Sequence, residues 1–187
     1  MATGTVRTEE ADLVYDYEGT GPVLLAIAGG GGGYAAISGA LADGYTVVRD
    51  DRRGRARSTA GPTPGFDIAQ QARDAAAVIR VFGEQAYVLG NSSGANIGLA
   101  LMSDHPELVI ALVAHEPPAT GILPDADAWL SFVDEVRDAY LAGGFQAAMR
   151  MFTGSLTGMG QFGSRRQDDD SRPPGGPAAM PITPARP

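Results

Sequence analysis

The chain contains no cysteine and no lysine. Without cysteine, disulfides, thiol nucleophiles and cysteine metal sites are excluded. Without lysine, a phosphate-cradling P-loop is excluded as well, because that loop ends in lysine followed by Ser or Thr. Histidine is scarce: only His105 and His115 can supply an imidazole from within this sequence. No segment approaches ~18 uninterrupted apolar residues, and the first ten residues lack the apolar core of a signal peptide, so a cytoplasmic protein with no membrane association is expected. Positive charge is also short. Fourteen arginines face twenty-two acids, for a net charge of −8, and a surface of that sign does not suit nucleic acid or an anionic membrane.

What the chain does have is apolar content for one good core, 44% of 187 residues. The first periodic stretch, Asp12 to Glu18, alternates Leu13, Tyr15 and Tyr17 with other residues, as on a half-buried strand. After the turn signal Gly19-Thr20-Gly21-Pro22 comes Val23 to Ala28, a continuous apolar run of the kind found in a strand covered on both faces. Tyr45 to Asp50 reads as a further strand. Phe66 to Phe82 places Ile68, Ala72, Ala75, Ala76 and Ile79 on one helical stripe and stops at Gly83. Leu108 to Ala114 is another buried strand, ended by Pro117-Pro118. Strands and helices thus alternate from Val23 to Ala114, which predicts an α/β fold with a parallel sheet whose site lies at the carboxyl ends of the strands.

Four features fall at that end. Ala86 to Gly90 is an apolar run that leads through Asn91-Ser92-Ser93 to Gly94, after which small and apolar residues recur at helical spacing. The spacing G-x-S-x-G predicts strand, sharp turn and helix, with the Ser92 hydroxyl held clear of the sheet edge. Five glycines, Gly29 to Gly33, separate the Val23 strand from the next helix. They suit either backbone brought close to a substrate oxygen or a loose dinucleotide fingerprint, for which Asp50 or Asp51 is the acid available. Asp51 to Ser58 is rich in arginine and reads as an anion site or a solvated loop. His115-Glu116 closes the last strand.

In these residues the chain resembles the α/β-hydrolase family, in its branch of small serine hydrolases and perhydrolases. Ala28-Gly29-Gly30-Gly31 stands where the family carries its His-Gly oxyanion loop, with alanine in place of histidine. Asp51-Arg52-Arg53-Gly54-Arg55-Ala56-Arg57-Ser58 matches D-x-R-G-x-[GA]-x-S, Gly90 to Gly94 matches the nucleophile turn, and His105-Pro106-Glu107 the helix-to-strand junction. The resemblance covers about Val6 to Arg150. It implies an ester or similar small-molecule acyl substrate, no cofactor or metal, Ser92 as nucleophile, and an oxyanion held by the N–H groups of Ser93 and of Gly30 or Gly31. It also implies a base after the last strand, and neither histidine stands there. His105 lies ~20 Å from Ser92 along the intervening helix, which leaves His115 as candidate base, with Glu116 as candidate acid.

Three segments are expected: a hydrolase core over 1–118 lacking the family's last strands, a helical lid segment over 119–160, and a disordered tail over 161–187 that holds nearly half of the thirteen prolines. In the lid, Trp129, Phe132, Val133, Val136 and Tyr140 recur at helical spacing, and Gly143-Gly144 separates them from a second helix beginning at Phe145. The tail reads as the product of an altered frame or another truncating event. Activity is then expected to be impaired, the alternative being a non-catalytic remnant that binds a small apolar ligand or a partner subunit. The apolar strand 108–114 would be left as an open edge through which copies self-associate.

Overall fold

Six strands form a single sheet: β1 (Ala2–Arg7), β2 (Asp12–Glu18), β3 (Val23–Ile27), β4 (Thr46–Asp50), β5 (Ala86–Asn91) and β6 (Val109–His115), in the order β1-β2-β4-β3-β5-β6. The computed structural model describes residues 1–8, 10–29, 34–60 and 66–165. β1 and β2 form an antiparallel hairpin and β2 lies antiparallel to β4. From β4 through β3 and β5 to β6 the sheet is parallel. The continuous apolar run of β3 occupies the centre of that parallel part, where both its edges are paired and Leu24 to Ile27 are all buried. β1 escapes a sequence reading for a physical reason. Its one large apolar side chain is Val6, and pairing with β2, rather than burial of its own side chains, makes it a strand.

Three helices accompany the sheet: α1 (Ala35–Leu41), α2 (Ile68–Phe82) and α3 (Ser93–Asp104). The Asp67 carboxylate caps α2 by accepting from the Ala69 N–H at 3.0 Å, and Gly83, at φ 152°, ends it. The expected stripe is buried at Ala72, Ala75, Ala76 and Ile79, while Ile68 at the first turn remains exposed. Those alanines let α2 approach the sheet closely, and with α3 they enclose a core of Leu13, Leu25, Ile27, Val48, Val88, Ile97 and Leu101. Each large side chain buried there stabilises the fold by about 1.5–3 kcal/mol.

The chain divides into two compact units, Met1–Ala119 and Thr120–Pro187. In the second, α4 (Ala126–Arg165) is two helical stretches that meet at Gly144, whose φ of 70° and ψ of −170° break the ladder at the expected glycine pair. Helix continues to Arg165, so the tail expected from residue 161 is helical over its first five residues, with no proline before Pro173 to stop it. The remainder of that tail lies outside the described residues.

Among the described residues β6 is the outer strand beyond β5. Its strand begins one residue later than the sequence reading because Leu108 ends a short 3₁₀ turn, Pro106–Leu108. Ile110 and Val113 are 46% and 60% exposed, and no charge or proline blunts the strand before His115. Concentration-dependent association of this chain is therefore expected in sedimentation velocity, and Val113→Lys should suppress it. A single monomeric species of the unaltered chain at every concentration would refute the expectation.

Candidate active site

The end of β5 and the start of α3 are separated by one residue, Ser92, which is bent to φ 52° and ψ −124°. For a residue with a Cβ this conformation is strained, at a cost of about 1–3 kcal/mol. Its neighbours show what holds it. A Cβ on Gly90 would lie 2.4 Å from the Gly94 carbonyl oxygen, and one on Gly94 would lie 2.0 Å from the carbonyl oxygen of Ile27. Only glycine at both positions lets the turn close onto β3. Gly29, just past β3, is equally tight: a Cβ there would stand 2.8 Å from the Ser92 Cβ. The first glycine of the five-glycine segment thus lies tight against the serine. Gly30 and Gly31 themselves lie outside the described residues.

Ser93 is the first residue of α3, where a backbone N–H has no partner within the helix. His115 ends β6 directly opposite Asn91, and its Nδ1 is 3.2 Å from the Asn91 Nδ2. The Ser92 N–H donates to the His115 carbonyl at 2.9 Å, continuing the ladder one residue past the paired strands. The imidazole therefore stands beside the turn, hydrogen-bonded to Asn91, and among the described residues no side-chain hydrogen bond joins it to the Ser92 hydroxyl. Glu116 is exposed and, like Ser92, has positive φ, 49°. It makes no ion pair or side-chain hydrogen bond among the described residues. His105 caps the far end of α3, 3.7 Å from Glu107, as its sequence position implied.

Two arginines of the loop, Arg52 and Arg53, are drawn inward, while Arg55 and Arg57 stay exposed. Arg53 grips Asp74 of α2 with two hydrogen bonds of 2.8 and 2.7 Å, and Arg57 bonds both Asp16 and Asp51. These pairs hold the Asp16 carboxyl below its usual range and raise both guanidinium groups. Arg52 is buried, donating to the Gly29 carbonyl and to the Ser93 hydroxyl. The Asp50 carboxyl is enclosed, although part of its residue is accessible, and its Oδ1 has no partner. Burial pushes it up to about 6, against the pull of Arg52. With Asp50 enclosed and Asp51 held by Arg57, neither acid is presented to a ribose, so the dinucleotide alternative loses the group it needs. Sequence reasoning gave Asn91 no role, and it named Asp50 and Arg52 without the enclosed positions they take. Their only signal was position, each beside a predicted turn.

A mostly parallel sheet with a strained serine between strand and helix, and a glycine turn against it, defines the α/β-hydrolase fold. A family model described as "alpha/beta hydrolase fold" matches residues 22–186, and the chain belongs to that family. Its relatives are hydrolases. Over 119 residues it is 40% identical to a Bacillus subtilis protein named "Uncharacterized hydrolase YraK", covering 61% of this chain. Over 122 residues, or 60% of the chain, it is 34% identical to RutD of Caulobacter segnis, whose name assigns it provisionally to carbamate hydrolysis. The match spans 44% of the length of each of these relatives. An alpha/beta hydrolase from Sphaerobacter thermophilus superposes with a TM-score of 0.59 at 27% identity, over 80% of this chain and 59% of that one. Among the described residues no helix is long and apolar enough to cross a membrane.

Two outcomes follow from this geometry. Gly94→Ala places a methyl group against the Ile27 carbonyl and should cost at least about 2 kcal/mol in urea unfolding. Loss below half of that would mean the turn is looser than described. For Asp50, a carboxyl at about 6 in the folded chain but in the ordinary range when unfolded keeps its proton in the folded state between the two values. Its contribution to stability is full below the unfolded value and is lost as pH rises through about 6, by about 3 kcal/mol in all. Asp50→Asn should flatten that decline, and unfolding curves of both proteins from about pH 4 to pH 7 compare them.

Proposed function

We propose that this α/β hydrolase acts on an ester or similar acyl substrate through a covalent intermediate on Ser92. The observation that carries the reading is the strained Ser92 turn with Gly29 packed against it. A serine hydroxyl presented there is placed to attack an acyl carbon whose oxygen faces the Ser93 N–H and the first amides of the glycine loop, at Gly30 or Gly31. Such donors are worth about 3 kcal/mol each, because they are already oriented when charge develops on the oxygen.

In the acylation step the Oγ–C bond forms, the bond to the leaving group breaks, and the hydroxyl proton passes through a base to the leaving oxygen. Water then attacks the acyl-enzyme and restores the hydroxyl. Within this chain the base proposed is His115. Its place at the end of the strand next to the turn supports that choice; its Nδ1 accepts from the Asn91 amide, so the ring serves as base only once that bond is released. Glu116, on the same strand end, is the acid proposed. The hydrogen bond of His115 to Asn91 in place of Ser92 favours a second reading, in which the chain binds a small apolar ligand or a partner subunit and turns nothing over.

Hydrolysis of p-nitrophenyl butyrate by wild type and Ser92→Ala separates the two. The enzyme reading expects a loss of at least about a hundredfold in kcat/KM, and a smaller but clear loss for His115→Gln. Equal rates for wild type and Ser92→Ala would remove the enzyme reading.

A further inference from the structure

Arg52 is a cation with 9% of its surface exposed, and burying a guanidinium costs several kcal/mol unless its donors are met. Here neither hydrogen-bond partner is a carboxylate. Nη2 donates to the carbonyl oxygen of Gly29, and Nη1 donates to the Ser93 hydroxyl at 3.3 Å. The Phe66 ring covers the group, with its centroid 5.5 Å from the guanidinium carbon, an attraction that strengthens as water is excluded. The neighbours Arg53 and Arg57 hold carboxylates of α2, β2 and their own loop. Arg52 alone of the three points its fork at the two segments that flank Ser92.

Both grips act beside the Ser92 turn. One holds the carbonyl of Gly29, whose position is tight against the Ser92 side chain, and the other holds the side chain of Ser93, which opens α3. One rigid, planar cation, 41 residues in sequence from one partner and 23 from the other, thereby ties the end of β3 to the start of α3.

We propose that Arg52 is a positioning residue that fastens Gly29 to the start of α3 at Ser93 and so sets how the Ser92 turn between them presents its hydroxyl. This rests on the serine-hydrolase reading above. The residue type matters, because an ammonium is a single point charge without a fork and cannot hold both partners in one plane.

The test uses the full chain and a fluorophosphonate probe, whose reaction forms an Oγ–P bond at Ser92, breaks the P–F bond and releases fluoride and the hydroxyl proton to solvent. Arg52→Lys should be labelled about ten- to a hundredfold more slowly than wild type. With p-nitrophenyl butyrate its loss should fall on kcat and leave KM nearly unchanged. Ser93→Ala keeps the arginine and the amide N–H and removes one grip; labelling should slow roughly three- to tenfold. The double variant should be no slower than Arg52→Lys, since both changes break one link. Circular dichroism and thermal unfolding check that each variant is folded, and if Arg52→Lys is not, Ser93→Ala decides alone. Wild-type labelling in folded Arg52→Lys or in Ser93→Ala, or additive losses in the double variant, overturns the proposal with Ser92 still reactive. Equal labelling of wild type and Ser92→Ala overturns the nucleophile reading itself, and the purpose given to Arg52 falls with it.

Discussion

The carboxyl edge of this sheet depends on one close approach, that of Gly94 to the carbonyl of Ile27. β3 and β5 are parallel neighbours in a register that pairs Ile27 with Gly90, so whatever follows Gly90 must turn directly above the end of β3. A side chain at Gly94 would occupy space already filled by a carbonyl that has nowhere to move, because β3 is paired on both edges. With no Cβ there, α3 sinks onto the sheet and its first residue is drawn back over the strand it came from. The strain then collects at Ser92, the one residue left between strand and helix. A strained residue persists only where surrounding structure over-determines it, and here the buried side chains Ile97 and Leu101 on α3 supply that.

A second constraint is electrostatic. Buried charge is tolerated when its hydrogen bonds are complete, and the connection between β4 and α2 brings five ionisable groups under cover: Asp50, Arg52, Arg53, Asp74 and part of Asp51. Arg53 and Asp74 bond each other bidentately, the arrangement in which a guanidinium and a carboxylate lose least on leaving water, although the buried Arg53 Nη1 has no hydrogen-bond partner. Asp50 has no such partner for Oδ1, and burial holds its carboxyl up at about 6, against the pull of Arg52. The sheet edge that presents Ser92 is thus bordered by a polar seam in which Arg52 and Arg53 are turned inward.

Much of this was legible in the residues. β2 to β6, α2 and α3 follow from apolar periodicity, and the sharp turn at Ser92 from glycine spacing, because in each case one short segment carries the whole physical cause. β1 was not legible, since its cause is the partner strand. The inward direction of the arginines was also hidden: a run of charge has the same appearance whether its partners are water or carboxylates 40 residues away. The placement of His115 beside Asn91 follows from register between two strands, which sequence spacing alone does not set. In the segment where composition suggested a coil, helix runs on to Arg165, and residues 166–187 lie outside the described residues.

The connection that carries Arg52 also ends in a way that decides its character. Its Ser58 and Thr59 hydroxyls accept from the Val14 and Asp12 N–H groups at 2.8 Å, and the Thr59 N–H donates to the Asp12 carbonyl at 3.0 Å. β4 stops short of the length of β2, and this segment returns to serve the rungs that β4 leaves empty. By length and charge it looks like an ideal place to graft a foreign peptide or a cleavage site, yet prying it open would unzip a rung of the sheet and expose a cation already enclosed. A graft there would cost the whole scaffold.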